Sequence, residues 1–326
     1  MSGSSTIQLA VRTDMNQPPS PAFVRWPSGV LFCLAAAVLW SSSGFFAGVP
    51  EFSIWPIEQR GGVLAFWRAC FALVLLLPLV RRVSWHWRML PMMACFAAMN
   101  WTYLTALVGG PPANAIWLQN LAPAWVMLFS LLIYREPVER RDWWMLGLCI
   151  GGVLFIVAMQ LLLAPASERN FWWAPWLAIL SGILYAGVIL SLRHLRAHDS
   201  AWLIALNHLA TAATMLPLLL WHDSALPSGR MWWWLAGLGM LQMGMPYWLF
   251  AQGLRTTPGH IASLITLLEP LLLPIWIHLA WSGSPNYAPP PWWTWVGGGL
   301  ILAGLVLRFG WPTQPRHSPA ESRVDA

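Results

Sequence analysis

The sequence predicts an all-α membrane protein: ten transmembrane helices arranged as two inverted five-helix repeats. Three observations lead there, namely the composition, the spacing of the apolar runs and a self-similarity at a shift of 147 positions. Of 326 residues, 58% are hydrophobic and 9% charged, whereas a soluble globular chain carries roughly 25% charged residues. The formal charge of +6 comes without a basic block, which argues against a nucleic-acid-binding surface. All 18 basic residues are arginine, so lysine Schiff-base chemistry and a P-loop are both excluded.

A helix needs about 20 mostly apolar residues to cross a ~30 Å hydrocarbon core. Ten runs meet that length: 28–48, 62–80, 89–108, 111–133, 143–163, 174–192, 201–221, 231–253, 258–281 and 292–309. The connections are short and hold no separate soluble domain. Residues 1–27 are polar and proline-bearing, unlike a cleavable signal, so they are expected as a cytoplasmic segment ahead of a retained first span. The two repeats are expected at 28–163 and 171–309, followed by a disordered cytoplasmic tail at 312–326. Cys33, Cys70, Cys95 and Cys149 sit inside apolar runs without metal-ligand spacing, so they read as packing residues, and no metal or cofactor is expected.

Arginine placement orients the spans. One set of faces carries Arg12, Arg25, Arg81, Arg82, Arg88, Arg135, Arg140, Arg141, Arg193, Arg196, Arg255, Arg308, Arg316 and Arg323. The opposite set carries Arg60, Arg169 and Arg230, and Arg68 lies within a span. Positive-inside counting therefore places both termini in the cytoplasm, as an even number of spans requires. Tryptophans cluster at span ends (Trp85 and Trp87, Trp143 and Trp144, Trp172 and Trp173, Trp232 to Trp234, Trp292 and Trp293), which reads as an interfacial belt.

Shifting the sequence by 147 aligns 101–123 with 248–270, pairing Trp101 with Trp248, Pro111 with Pro258 and Pro123 with Pro270. Each half then holds five spans, an odd number, so the second half enters the bilayer inverted. Inverted repeats are a construction of secondary transporters, because two similar halves in opposite senses give two near-equivalent states. Pro123 and Pro270 fall near mid-membrane, where proline removes a backbone bond and breaks or kinks a helix.

Counting ~1.5 Å per residue places a polar layer half-way across: Trp40 with Ser41 to Ser43, Asn100, Gln119, Asn120, Tyr185, Gln242 and Glu269. These come from spans 1, 3, 4, 6, 8 and 9, which are expected to wall a cavity braced by the other four. Interhelical hydrogen bonding is the competing reading for each amide or hydroxyl. Glu269 is the single carboxylate near that depth, and an intramembrane carboxylate is costly enough to read as functional. Ser263, Thr266 and Glu269 are spaced i, i+3, i+6 along one helical stripe. Glu269 could bind a proton, pair with a substrate cation, or make a structural hydrogen bond. Arg68 could snorkel to the interface, pair with Glu269, or bind an anionic substrate. His208, beside Asn207, and His278 read either as proton relays or as packing residues.

At these residues the chain resembles the EamA-type family of the drug/metabolite transporter superfamily. The similarity runs through Leu39 to Phe45, Phe66 to Ala72, Ala113 to Gln119 and on to Pro123, and Tyr134 to Pro137. It continues through Ser200 to Trp202, Gln242 to Tyr247 and Leu267 to Pro270, covering 28–309. The resemblance implies a ten-helix transporter of two inverted repeats that moves small metabolites, commonly outward, through a cavity between the halves. One departure is that Gly283 stands 147 residues beyond Glu136, where the family usually repeats a Gly-Glu-like pair.

The expected function is a secondary exporter of small metabolites or amino-acid-like compounds in a bacterial-type inner membrane, with protons as a candidate coupling ion. Trp40, Tyr185 and Tyr247 would line the path. An intramembrane enzyme acting on a lipid-linked substrate and a non-transporting membrane sensor are the alternatives.

Overall fold

The computed structural model describes residues 28–135, 139–163, 171–257, 259–284 and 287–309. The expected N-terminal segment, the tail, Glu136, Arg169 and Pro258 lie outside the described residues, as does the side chain of Ser263. Every described segment of regular structure is helical. That follows from the composition, since a helix satisfies its backbone bonds within one segment and needs no water.

The first half runs α1 (Ser28–Ser41), α2 (Ser43–Ala47), α3 (Ile57–Leu76), α4 (Met89–Gly109), α5 (Pro112–Gln119), α6 (Ala122–Tyr134) and α7 (Arg140–Leu163). The second runs α8 (Ala174–His194), α9 (Ser200–Trp221), α10 (Met231–Ala236), a π-helical stretch (Gly237–Gly244), α11 (Met245–Gly253), α12 (Gly259–Thr266), α13 (Leu268–Trp281) and α14 (Trp292–Phe309). Among the described residues, nine helices are long and apolar enough to cross a membrane. The run Met231–Gly253 is also helical throughout, but Trp232 to Trp234, Gln242, Pro246 and Gln252 dilute its apolar character. The second span begins at Ile57 rather than 62, because Arg60 donates to the Trp55 carbonyl from Nε (3.2 Å) and Nη2 (2.9 Å) and closes the entry turn.

Helices pack across the two halves. Pairs across the halves include α1 with α11, α3 with α9, α4 with α8, α5 with α13 and α7 with α14. The last pair shows how small residues set a crossing. A Cβ on Gly152 would stand 2.5 Å from the Gly297 carbonyl oxygen, and one on Gly297 would stand 2.8 Å from that of Gly152. Backbone contact of this kind, with its dense packing, is a principal source of helix association in a bilayer. Where α7 begins and α14 ends, Arg308 Nε donates to Asp142, whose other oxygen accepts the Glu139 N–H at 2.8 Å.

The tryptophan belt needs correcting in part. Trp85, Trp87, Trp143, Trp144, Trp172, Trp233 and Trp292 are exposed on the bundle surface, but Trp293 is buried. Trp234 packs against Phe45, Phe46 and Trp281. Consecutive residues on a helix point about 100° apart, so neighbouring indoles cannot all face lipid.

The loop between α3 and α4 is held by Asp199, the cap of α9. Its Oδ2 accepts the N–H groups of Arg81 (2.9 Å) and Arg82 (3.1 Å), and its Oδ1 those of Ala201 (2.8 Å) and Trp202 (3.3 Å). Partial burial alone would raise its pKa, but the backbone donors of Arg81, Trp202, Arg82 and Ala201 hold it below the ordinary carboxylate value. A depressed carboxyl stabilises the fold above its unfolded pKa of about 3.9 and loses that contribution as pH falls through the lower folded value. Asp199→Ala should therefore lower stability by about 1 kcal/mol at neutral pH, and Asp199→Asn by much less. Thermal unfolding in detergent should show the gap between wild type and Asp199→Ala shrinking below about pH 4.

Candidate functional site

Two helices that cross the bundle are interrupted in corresponding places. One breaks between α5, ending at Gln119, and α6, starting at Ala122; the other breaks at Leu267, between α12 and α13. Gln119 and Thr266, the last helical residues before each break, are 147 positions apart. Pro123 and Pro270 each lie in the first turn after the break. Each proline, expected to break or kink its span, stands in the first turn of the segment after the break, where the N–H it lacks has no intrahelical acceptor to lose.

Between the breaks lies a cavity lined by Trp40, Arg68, Met99, Tyr103, Gln119, Tyr185, Gln242, Met243, Tyr247 and Glu269. About 40 Å³ of it is wide enough for the centres of water molecules. At ~10–15 Å³ of such volume per water, that is room for about three. The cavity is constricted here. Trp40 closes one wall, edge-on to Tyr247 at 5.1 Å between centroids and 5.2 Å from Phe250.

Arg68 is 2% exposed, so it does not snorkel. Its Nη1 donates to Gln242 Oε1 at 3.3 Å and its Nη2 to Asn100 Oδ1. Both amides are oriented by the backbone: Asn100 Nδ2 donates to the Phe96 carbonyl (3.1 Å) and Gln242 Nε2 to the Trp40 carbonyl (3.2 Å). With their N–H groups engaged, both turn oxygen toward the guanidinium, which has no acceptor capacity of its own. Gln242 lies in the π-helical stretch, and Gly239 lets that stretch approach closely. A Cβ there would stand 2.7 Å from the Arg68 carbonyl oxygen and 2.4 Å from Phe71 Cβ.

Glu269 faces the same cavity from the first turn of α13, where the positive end of the helix dipole favours a carboxylate. Among the described residues the direct ion pair is Arg308 with Asp142, so Glu269 and Arg68 share a cavity without a direct contact.

Of the residues singled out from sequence, Trp40, Arg68, Gln119, Tyr185, Gln242, Tyr247 and Glu269 converge on this wall. Asn100 stands behind it, holding Arg68. Thr266 is half-buried and is not part of the wall. The i, i+3, i+6 stripe assumed an unbroken helix, and the turn at Leu267 interrupts its register. The second span reaches the wall through Arg68. Ser41 accepts from Trp276 Nε1 at 2.8 Å, and the Ser43 hydroxyl meets the Tyr103 hydroxyl at 2.8 Å, so these serines join helices. Met99, Tyr103 and Met243 are wall residues that the sequence reading missed. Tyr103 lies one turn beyond Asn100, which was the available signal. Asn120 bonds the Ile116 carbonyl of its own turn. His208 is fully buried, edge-on to Phe96 at 5.0 Å, with neither ring nitrogen bonded to a described residue. His278 meets the Tyr287 hydroxyl at 2.9 Å.

Membrane-length helices around a small cavity of mixed polar and aromatic character, with two of them broken beside it, define a membrane transport protein. The sequence profile of the EamA-like transporter family matches residues 27–158 and 172–310, and the chain belongs to that family. It is an integral, multi-pass membrane protein. It is 28% identical over 211 residues to an uncharacterized transporter of Archaeoglobus fulgidus, covering 64% of this chain and 71% of that one. It is 27% identical to the pseudopaline exporter CntI of Pseudomonas aeruginosa over 74% of this chain and 84% of the exporter. It is 25% identical to the aromatic amino acid exporter YddG of Ancylobacter novellus over 63% and 71% respectively. A crystal structure with 18% identity superposes with a TM-score of 0.59, covering 86% of this chain and 96% of the other, which supports the fold alone.

Asn100→Leu should remove one acceptor from a buried guanidinium and cost about 1–3 kcal/mol. Thermal unfolding of purified protein checks this, and Asn100→Asp, which keeps an acceptor, should recover most of the loss.

Proposed function

We propose that the chain is a secondary transporter that exports small, amino-acid-like metabolites by alternating access. In this reading ten helices span the membrane as two inverted repeats, 28–163 and 171–309, with Met231–Gly253 as the eighth span. The two helix breaks 147 residues apart favour the duplication. So does the pairing of helices. Numbered as spans, first packs with eighth, third with sixth, second with seventh, fourth with ninth and fifth with tenth. Exchanging the two halves leaves that pattern unchanged, as a two-fold axis in the membrane plane requires. Both termini are assigned to the cytoplasm of a bacterial-type inner membrane on the arginine count.

The observation that carries the function is Arg68 and Glu269 on one cavity wall, not paired with each other, among Trp40, Tyr185 and Tyr247. A guanidinium suits a substrate carboxylate, and Glu269 suits an ammonium group or a transferable proton. The rings suit an apolar or aromatic side chain. Two relatives are named exporters, of pseudopaline and of aromatic amino acids, and the cavity's chemistry agrees best with the second kind of cargo. Asn100 and Gln242 position Arg68, Gln119 and Thr266 mark the ends of the broken helices, and Pro123 and Pro270 start the segments that move.

Small molecules released by cells expressing wild type, Glu269→Gln and an empty vector test this reading. A zwitterionic compound should accumulate outside only with wild type, with Glu269→Gln reduced at least about tenfold while still inserting in the membrane. Equal release by both proteins, with the same pH dependence, would remove Glu269 from the transport step.

A further inference from the structure

Just beyond the cavity the first span is broken: α1 ends at Ser41 and α2 begins at Ser43. An unbroken helix would give the Leu39 carbonyl to the Ser43 N–H. Here that carbonyl accepts both the N–H (3.2 Å) and the hydroxyl (2.6 Å) of Ser42. Ser41 Oγ likewise donates to the Val38 carbonyl at 2.6 Å. Serine hydroxyls that take helix carbonyls in this way weaken and bend a helix. α13 is weakened at the same level. Pro274 lies inside it and has no N–H to offer the Pro270 carbonyl, and its neighbour Leu273 faces Gly44.

Past these two points α2 and the end of α13 form one body. A Cβ on Gly44 would stand 2.5 Å from Ile277 Cδ1, and one on Gly48 would stand 3.2 Å from Trp281 Nε1. Trp281 stacks on Phe45 (5.7 Å between centroids, 19° between planes), and its Nε1 donates to the Phe45 carbonyl at 2.9 Å. The bond from Trp276 Nε1 to Ser41 lies at the pivot itself. On the near side of the break, the Trp40 carbonyl is held by Gln242 and belongs with the Arg68 cluster. Among the described residues, one side-chain hydrogen bond ties α2 to the helices of that cluster, the 2.8 Å contact between the Ser43 and Tyr103 hydroxyls. Phe45 and Phe46 also meet Trp234, but through apolar ring contacts.

The other half of the chain lacks both weak points. Ile189 stands 147 positions after Ser42, and Met127 stands 147 before Pro274. α8 (Ala174–His194) runs unbroken through Ile189, and α6 (Ala122–Tyr134) runs unbroken through Met127. We propose that α2 and the end of α13 are a lid on the cavity, hinged at Ser42 and Pro274 and latched by the Ser43–Tyr103 bond, and that the opposite face has no such lid. The two faces then open differently, one by a hinged flap and the other by tilting whole helices. Resting on the exporter reading, the arginine count puts the lidded face outside, where cargo is released. Tyr103 lines the cavity, so a cargo group that hydrogen-bonds its hydroxyl competes with Ser43 and frees the lid.

Hydrogen exchange followed by mass spectrometry, on the full-length protein in phospholipid nanodiscs, tests the lid without any substrate. In wild type, residues 43–48 and 277–281 should exchange several-fold faster than their counterparts 190–195 and 130–134. Ser43→Ala and Tyr103→Phe should each speed exchange over 43–48 by about fivefold, the worth of one hydrogen bond. The double variant should be no faster than either single one, because both remove the same bond. Ser43→Thr should keep the wild-type rate, and Pro274→Ala should slow exchange over 277–281. Unchanged exchange over α8 in every variant separates release of the lid from loss of fold. Equal exchange at the two faces in wild type, no acceleration in Ser43→Ala, or an acceleration over α8 as large as that over α2 would each overturn the proposal. Those results would leave the exporter reading standing, just as a failure to export would leave the exchange pattern intact.

Discussion

The bundle depends on keeping one guanidinium solvated by protein. An arginine does not shed its proton in a protein, so burying Arg68 obliges the surroundings to supply acceptors. Two arrive from different elements, Asn100 on α4 and Gln242 in the π-helical stretch, and each is oriented by a backbone carbonyl, one of them that of Trp40 in α1. Three elements, α1, α4 and the π-helical stretch, are thereby fixed relative to α3 around a single charge. The π-helix fits this account: it presents Gln242 to Arg68, and Gly239 lets its backbone come against α3. An interhelical hydrogen bond in a bilayer averages only about 0.6 kcal/mol, so such bonds alone do not explain the arrangement. The larger constraint is the cost of leaving the charge without acceptors.

The two helix breaks obey the same rule in another form. Non-helical backbone within a bilayer is tolerated where it is enclosed by protein or lines a cavity, and Gln119 and Glu269 beside the breaks both face the cavity. A break also exposes helix ends. The start of α13 gives Glu269 a favourable end of a helix dipole, which lowers the cost of a carboxylate far from bulk water. Arg68 and Glu269 therefore reach one space by separate means of support. Neither depends on the other as a partner, and both retain capacity for a third group.

The helical class, the positions of nine membrane-length helices and most of the cavity-wall residues were legible in the sequence, because composition and depth counting need only the 1.5 Å rise and the length of each run. Seven residues picked on depth, polarity or motif share one cavity wall. Rotation about the helix axis was less legible. Depth counting places a residue along the axis but not around it, so Tyr103 was passed over and Thr266 was included. Arg68 was left open between the interface and the interior, because its acceptors come from residues 32 and 174 positions away. Tandem tryptophans failed for the same angular reason: Trp233 faces outward, whereas its neighbour Trp234 joins Phe45, Phe46 and Trp281.

The constricted cavity also limits how the molecule can open. Contacts around it fall into two energetic groups. The hydrogen-bonded charge, Arg68 with Asn100 and Gln242, cannot separate without being left unsatisfied. Aromatic pairs such as Trp40 with Tyr247 and Phe45 with Trp281 add only about 0.5–1.5 kcal/mol beyond their buried area and can re-form with a ligand's ring. A motion that admits a substrate should therefore carry the Arg68 cluster as a block and part the rings. Trp40 sits at that boundary, because its carbonyl accepts from Gln242 while its indole packs on Tyr247. The backbone of α1 near Trp40 then stays with the Arg68 cluster, and it is the indole that must yield.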